Sequence, residues 1–303
     1  MIVHVGVKSD PIENRYSFDW LFAVMAEQHV GWLQLGSSFP FFHADEAWFR
    51  DLRRKAERRG IRIHSTYTSY REMTGFFTAD PYLEAASRHA WERLIQVAAM
   101  VGASSAGASC GSVPRDLPGE KDPGMARFFR HMKELVRVAK TAGLEALCIE
   151  PMSSTFEPPS TPEEMDRVTG EMDAFHAADP AGTVPVRFCA DISHGLADRD
   201  RRVIVDNWRL FEAGIPHTHE FHFKNTDERF DRTFGFSAEE RERGIVDLER
   251  LRRLIDANAD RFPVHEIVGY LELPGPKTGR DYTDHLLGPA LGESLAALKA
   301  VFG

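Results

Sequence analysis

Four stretches in the second half of the chain decide the reading: ALCIE (146–150), VRFCAD (186–191), EFHFKN (220–225) and VHEIVGYLEL (264–273). Each is a short apolar, strand-like run that ends on or carries a charged or imidazole side chain. Working outward, four earlier runs have the same strand character: IVHVGV (2–7), GWLQLG (31–36), IRIHST (61–66) and ASSAGAS (103–109). Between the runs lie helical patterns, among them 45–60, 81–102, 124–143 and 247–259. In the third of these, Phe128, Met132, Leu135 and Ala139 recur at spacings of four, three and four, which puts them on one helix face. Gly60, Gly102, Gly143 and Gly214 stand where helices end, as left-handed caps.

Eight such units, with no composition break and no Gly/Ser linker, predict a single (β/α)8 TIM barrel over 1–303. A doubly wound nucleotide fold would show a Gly-rich first turn; there is no GxGxxG after the first strand and no GxxxxGK[ST] anywhere. In a barrel, chemistry gathers at the C-terminal strand ends and the loops beyond them. TDERFDRTFGFSAEERER, at about 226–243, is an insertion after the seventh strand; its Phe230, Phe234 and Phe236 make it a candidate lid or a packing element.

The 303 residues carry 37 Lys and Arg against 46 Asp and Glu, a formal charge of −9, with the acids spread along the chain. A nucleic-acid partner is therefore not expected. No apolar run suits a membrane span, and MIVHVGVKSD has no basic flank for a signal peptide, so a cytoplasmic protein is expected. Cys110, Cys148 and Cys189 form no CxxC and read as reduced, small apolar residues.

At the ends of strands five to eight stand Glu150, Asp191, His222 and Glu272, with Glu266 as an earlier candidate on the eighth. Alone, each carboxylate reads as a helix cap or loop residue, and His222 as a satisfied interior histidine. Together they make a hard, mostly oxygen donor set that ends apolar runs and needs compensation. One divalent ion fits it, Mn²⁺ first, with Mg²⁺, Co²⁺ or Zn²⁺ as alternatives.

Lys224, Lys277 and Arg280 fall on the side of a barrel where phosphate is often bound, and suggest an anionic substrate unless they are solvated surface. The third-strand loop, STYTSYREMTGFF, offers Tyr67, Tyr70, Phe76 and Phe77 as walls of a sugar site or as packing. His64 at its head could touch substrate or fill the barrel.

CIEP, DISH, FHFKN, GIVDL (244–248) and LELPGPK resemble motifs of the xylose-isomerase-like barrel superfamily of sugar-phosphate isomerases and epimerases, with a layout close to the D-tagatose/ketose 3-epimerases. The resemblance implies that Glu150, Asp191, His222 and Glu272 are the metal ligands, and that Glu150 and Glu272 also act as acid and base on a sugar or sugar phosphate through a metal-stabilised enediolate. It places His194 near the substrate, orienting a hydroxyl, or beside Asp191 as its partner. Related barrels pair, so a homo-oligomer, dimer or tetramer, is an expectation. Two departures stand out. Gln34 occupies a second-strand position that is acidic in many relatives, and neither Arg229 nor Arg232 aligns securely as a substrate-binding arginine. The competing activity is a metal-dependent lyase, decarboxylase or dehydratase acting on a sugar acid or keto-sugar on the same barrel.

Overall fold

The computed structural model describes residues 1–303 except 13–14, 37–38, 69–74 and 275–284. Eight parallel strands close into a barrel: β1 (Ile2–Lys8), β2 (Trp32–Gly36), β3 (Arg62–Thr68), β4 (Ser105–Ala108), β5 (Ala146–Ile149), β6 (Val186–Asp191), β7 (Thr218–Phe223) and β8 (Glu266–Leu271). They follow one another round the ring in sequence order, and β8 closes on β1 from Ile2 opposite Glu266 to Val7 opposite Leu271. All eight runs read from the sequence are the barrel strands.

Helices surround the barrel: α1 (Phe18–Glu27), α2 (Phe39–His43), α3 (Glu46–Glu57), α4 (Pro81–Val101), α5 (Lys121–Thr141), α6 (Pro162–Ala178), α7 (Asn207–Gly214), α8 (Ala238–Arg243), α9 (Leu248–Ala257) and α10 (Leu287–Phe302). Their starts are chemically marked. The side chains of Ser17, Asp45, Asp80, Thr161, Asp206 and Asp247 each accept a hydrogen bond from a first-turn amide, satisfying a donor the helix leaves free. Gly60, Gly102 and Gly143 have φ of 71°, 73° and 83°, as a left-handed cap requires. Gly214 does not; its φ is −74°, and the chain runs on into a 3-10 turn. A Cβ there would lie 2.9 Å from the Met165 methyl, so a side chain would need that flexible end to shift.

The core has two parts. The large one lies between sheet and helices, where α5 contributes Phe128, Met132, Leu135 and Ala139, all buried. The other, inside the barrel, is small: Tyr67, Ala146, Cys148 and Cys189. Polar side chains lie beside it. Gln34, Ser65 and Ser105, on β2, β3 and β4, reach Glu220 on β7, a contact between strands that are not neighbours and so one that crosses the lumen. Most barrels fill this space with branched aliphatic side chains.

Two bulges interrupt the ladder. Between β2 and β3, Leu33 pairs with Ile63 and Gln34 with Ser65, leaving His64 as the extra residue; between β6 and β7, Phe188 pairs with Thr218 and Cys189 with Glu220, leaving His219. A bulge re-aims side chains that strict alternation would place elsewhere.

The 226–243 segment is tied down. Asn225–Thr226 pairs with Thr233–Phe234, Phe236 is buried, and the ring of Phe230 covers Gly195 so closely that a Cβ there would clash. Gly244 is held side-chain-free by the Asn225 amide, whose Oδ1 accepts from the Val246 amide; this joins FHFKN to GIVD. All three cysteines are free and buried. Among the described residues no helix is long and apolar enough to cross a membrane.

Candidate metal centre

Glu150 follows β5, Asp191 ends β6, His222 lies one residue from the end of β7 and Glu272 follows β8. Because these strands are consecutive in the ring, their ends converge. One donor atom from each residue lies within 4.8 Å of all the others, and Glu272 alone is partly exposed.

His222 Nδ1 stands 3.1 Å from Glu150 Oε1, 3.0 Å from Glu272 Oε2 and 4.0 Å from Asp191 Oδ2. The Tyr67 hydroxyl donates to Glu150 Oε2. On the opposite side, Glu272 is gripped by two ammonium groups: Lys224 Nζ is 2.8 Å from Oε1 and Lys8 Nζ is 3.2 Å from Oε2. Lys224 also lies 3.5 Å from Asp191 Oδ2. Lys8 lies 3.1 Å from Asp10 and 4.6 Å from the centre of the Tyr67 ring. Asp10 reaches in because Gly36 has no side chain; a Cβ there would fall 1.5 Å from Asp10 Oδ1.

Burial opposes every one of these charges, and their partners decide the balance. Burial pushes the Glu272 carboxyl up, but Lys224, Lys8 and His222 hold it well below the usual carboxylate range. Glu150 is likewise pushed up by burial and drawn down by His222 and His194. Burial and Lys8 disfavour charge on His222, yet Glu272 and Glu150 raise it above the ordinary histidine value. Lys8 and Lys224 pay a burial cost too, and their carboxylate neighbours keep both firmly protonated.

This environment suits a divalent cation. Three carboxylates (Glu150, Asp191 and Glu272), with the Asp10 carboxyl that burial raises beside them, face two ammonium groups, so acids outnumber bases around the group. Asp191 Oδ2 and Glu272 Oε2 are buried without a hydrogen bond, although each is within ion-pair distance of a lysine. Unsatisfied carboxylate oxygens beside an imidazole nitrogen are what a cation would use.

His194 is brought to the group. Its Nδ1–H donates to Pro151 O at 2.7 Å and its Nε2 lies 3.4 Å from Asp191 Oδ2. Tyr67 and Lys224 also join it. His64 does not: it sits toward the N-terminal end of β3, with Nδ1 2.7 Å from the Tyr270 hydroxyl and Nε2 3.3 Å from Ser104 Oγ. Glu266, the first residue of β8, pairs with His4 at 2.8 Å at that same end, away from the ligand group. Phe76 and Phe77 are fully buried, Phe76 stacked on His131 and Phe77 packed at Gly124, so they line α5 rather than a sugar site. Arg229 and Arg232 are exposed. Lys277, Arg280 and Tyr70 lie outside the described residues. Lys8, Asp10 and Glu220 escaped the sequence reading. The visible signal for the first was a lysine closing an otherwise apolar strand, IVHVGVK.

The family of xylose isomerase-like TIM barrels matches residues 26–281. The chain belongs to this family. No curated protein matches its sequence. Among solved structures, a Rhodospirillum rubrum protein provisionally named xylose isomerase is 20% identical, with 99% of each chain covered and a TM-score of 0.79. D-psicose 3-epimerase from Clostridium cellulolyticum is 14% identical over 99% of each chain, at 0.69. A Bacillus anthracis protein named as a probable 3-DHS dehydratase is 11% identical over 98% of each, at 0.66. At such identities the likeness is one of fold.

Proposed function

We propose that the protein is a divalent-metal-dependent isomerase or epimerase of a sugar or sugar phosphate. The observation that carries this reading is the convergence of Glu150, Asp191, His222 and Glu272 within 4.8 Å, two of them carboxylates that come from strands on either side of the group. These four residues would hold the ion, with Mn²⁺ the first choice for three oxygen ligands and one nitrogen. When bound, it supplies positive charge to oxygens next to the carbon that loses a proton.

The chain's own residues do the rest. Glu150, steadied by Tyr67, and Glu272, steadied by Lys224 and Lys8, are the groups that take the proton and return it. A 3-epimerisation needs one on each face of the sugar; an aldose–ketose isomerisation passes the proton between neighbouring carbons. His194, with Nδ1 committed to Pro151, turns Nε2 toward Asp191 and the substrate side, where it orients a hydroxyl. The likeness to a dehydratase supports a second reading, a lyase on a sugar acid or keto-sugar, for which Lys224 would face an anionic group.

The test is proton exchange. The Mn²⁺-loaded protein is incubated in D₂O with ketoses, ketose phosphates and 3-oxo sugar acids, the metal is removed, and ¹H NMR is recorded. Exchange beside the carbonyl with a new isomer is the expected result. Loss of water or CO₂ moves the assignment to a lyase, and an unchanged panel with metal bound overturns both for those substrates.

A further inference from the structure

One layer below the ligands, the barrel encloses a polar chain that the proposed chemistry does not touch. Glu220 is fully buried, two residues before His222 on β7. Its Oε1 accepts from Ser65 Oγ at 2.8 Å and from the Gln34 amide at 3.2 Å, and its Oε2 accepts from Ser105 Oγ at 3.1 Å. The other end of the Gln34 side chain, Oε1, lies 2.8 Å from His222 Nε2. Gln34 is also fully buried, so neither end reaches bulk solvent.

The donors and acceptors leave little choice of orientation. Both Glu220 oxygens accept from serine hydroxyls, and Gln34 turns its NH₂, not its carbonyl, toward Oε1. Its carbonyl then faces His222, and a carbonyl can only accept. His222 must therefore carry a hydrogen on Nε2. Cys189 Sγ, 3.3 Å from that nitrogen, has a hydrogen bond to Glu220 for its own S–H and so can accept the same hydrogen. A ring nitrogen that donates in this way cannot bind a cation, which leaves Nδ1, the atom facing Glu150, Asp191 and Glu272.

We propose that Gln34, oriented by Glu220, is the positioning residue that fixes the His222 ring and reserves its Nδ1 for the cation. This rests on the reading of His222 as a metal ligand. A carboxylate–histidine–metal arrangement is a common way to orient a ligand ring; here the carboxylate is one amide further away. The arrangement makes positions 34 and 220 interdependent. Glutamate at 34 beside Glu220 sets two buried carboxylates against each other, whereas exchanging the two residues restores a donor facing an acceptor at every step.

Three variants test this: Gln34→Leu, Gln34→Glu, and the exchange Gln34→Glu with Glu220→Gln. The first readout is the Nε2–H of His222 in metal-free protein, told from the Nδ1–H by ¹⁵N correlation within the ring, assigned by its loss in His222→Asn and followed by NMR for exchange with solvent. The second is Mn²⁺ affinity by calorimetry. The protected N–H should be present in the wild type and the exchange variant and lost in Gln34→Leu. Mn²⁺ should bind about 10- to 100-fold more weakly to each single variant, the range typical for lost partners of metal ligands, with most of the affinity recovered in the exchange variant. An unchanged N–H and unchanged affinity in Gln34→Leu overturns the proposal. If that variant does not fold, the exchange variant decides, and loss of its protected N–H is the overturning result. If wild-type protein binds no Mn²⁺, the metal reading fails while the N–H measurement still judges Gln34.

Discussion

His222 and His64 sit in the same barrel, on β7 and β3, and their surroundings drive them in opposite directions. At the C-terminal end, His222 is enclosed by carboxylates that outweigh burial and raise its affinity for a proton. Toward the N-terminal end, burial together with His219, Arg62 and His4 pushes His64 down to about 3, and burial with Arg187 takes His219 to about 4. The partners of His64 are a tyrosine and a serine hydroxyl, which a neutral ring satisfies. Acids surround one ring and burial with basic neighbours surrounds the other, so a histidine's place along its strand tells more about its role than its residue type does.

Glu150→Gln should give the widest separation between the two ends. On the proposed function it removes a ligand and a proton carrier together, and deuterium exchange into substrate should fall by about 10³-fold or more with the fold retained by circular dichroism. His64→Gln should leave that rate close to wild type; an equal loss in both would erase the distinction.

Next in size is the response to metal. Mn²⁺ at about 100 times its Kd should stabilise the protein by about 2.7 kcal/mol, read as a higher Tm that EDTA reverses. His222→Asn should abolish most of that rise.

The pH response belongs to the other end. Unfolded histidines take up protons near pH 6.5, whereas folded His64 and His219 resist until about 3 and about 4. The unfolded state therefore binds more protons between these limits, and stability falls as pH is lowered from 6.5, by up to about 1.4 kcal/mol per pH unit for each group. Urea titrations at several pH values should show this slope in the wild type and a shallower one in a His64→Gln, His219→Gln variant. Glu266→Gln should have the smallest effect, below about 1 kcal/mol, since its pair with His4 is exposed; Mn²⁺ affinity should not change.

Glu150, Asp191, His222 and Glu272 were legible before any coordinates, because a charged residue that ends an apolar run needs a reason and a closed barrel brings consecutive strand ends together. The partners that control them were not. Gln34 and Glu220 are separated by 186 positions and meet only across the lumen. Lys8 lies just past the run read as the first strand, and only closure of the barrel brings Glu272 beside it. Of the two readings of His64, filling the barrel is the one the structure favours, because it stands near the start of β3, where a bulge adds a residue, and not in the loop beyond the strand. Phe76 and Phe77 show the limit of reading a loop by its aromatics, since rings equally suit a sugar or a helix and here α5 takes them.

The division of the core into a large outer shell and a small polar lumen has a consequence for how such a protein can change over time. Adhesion between sheet and helices depends on side chains that face away from the axis, whereas the donors and acceptors along the axis belong to the site. Substitutions such as the paired exchange at 34 and 220 can therefore rewire the inner hydrogen bonds while the outer shell continues to hold the barrel closed. The stability of the scaffold and the wiring along its axis are thus open to change one at a time.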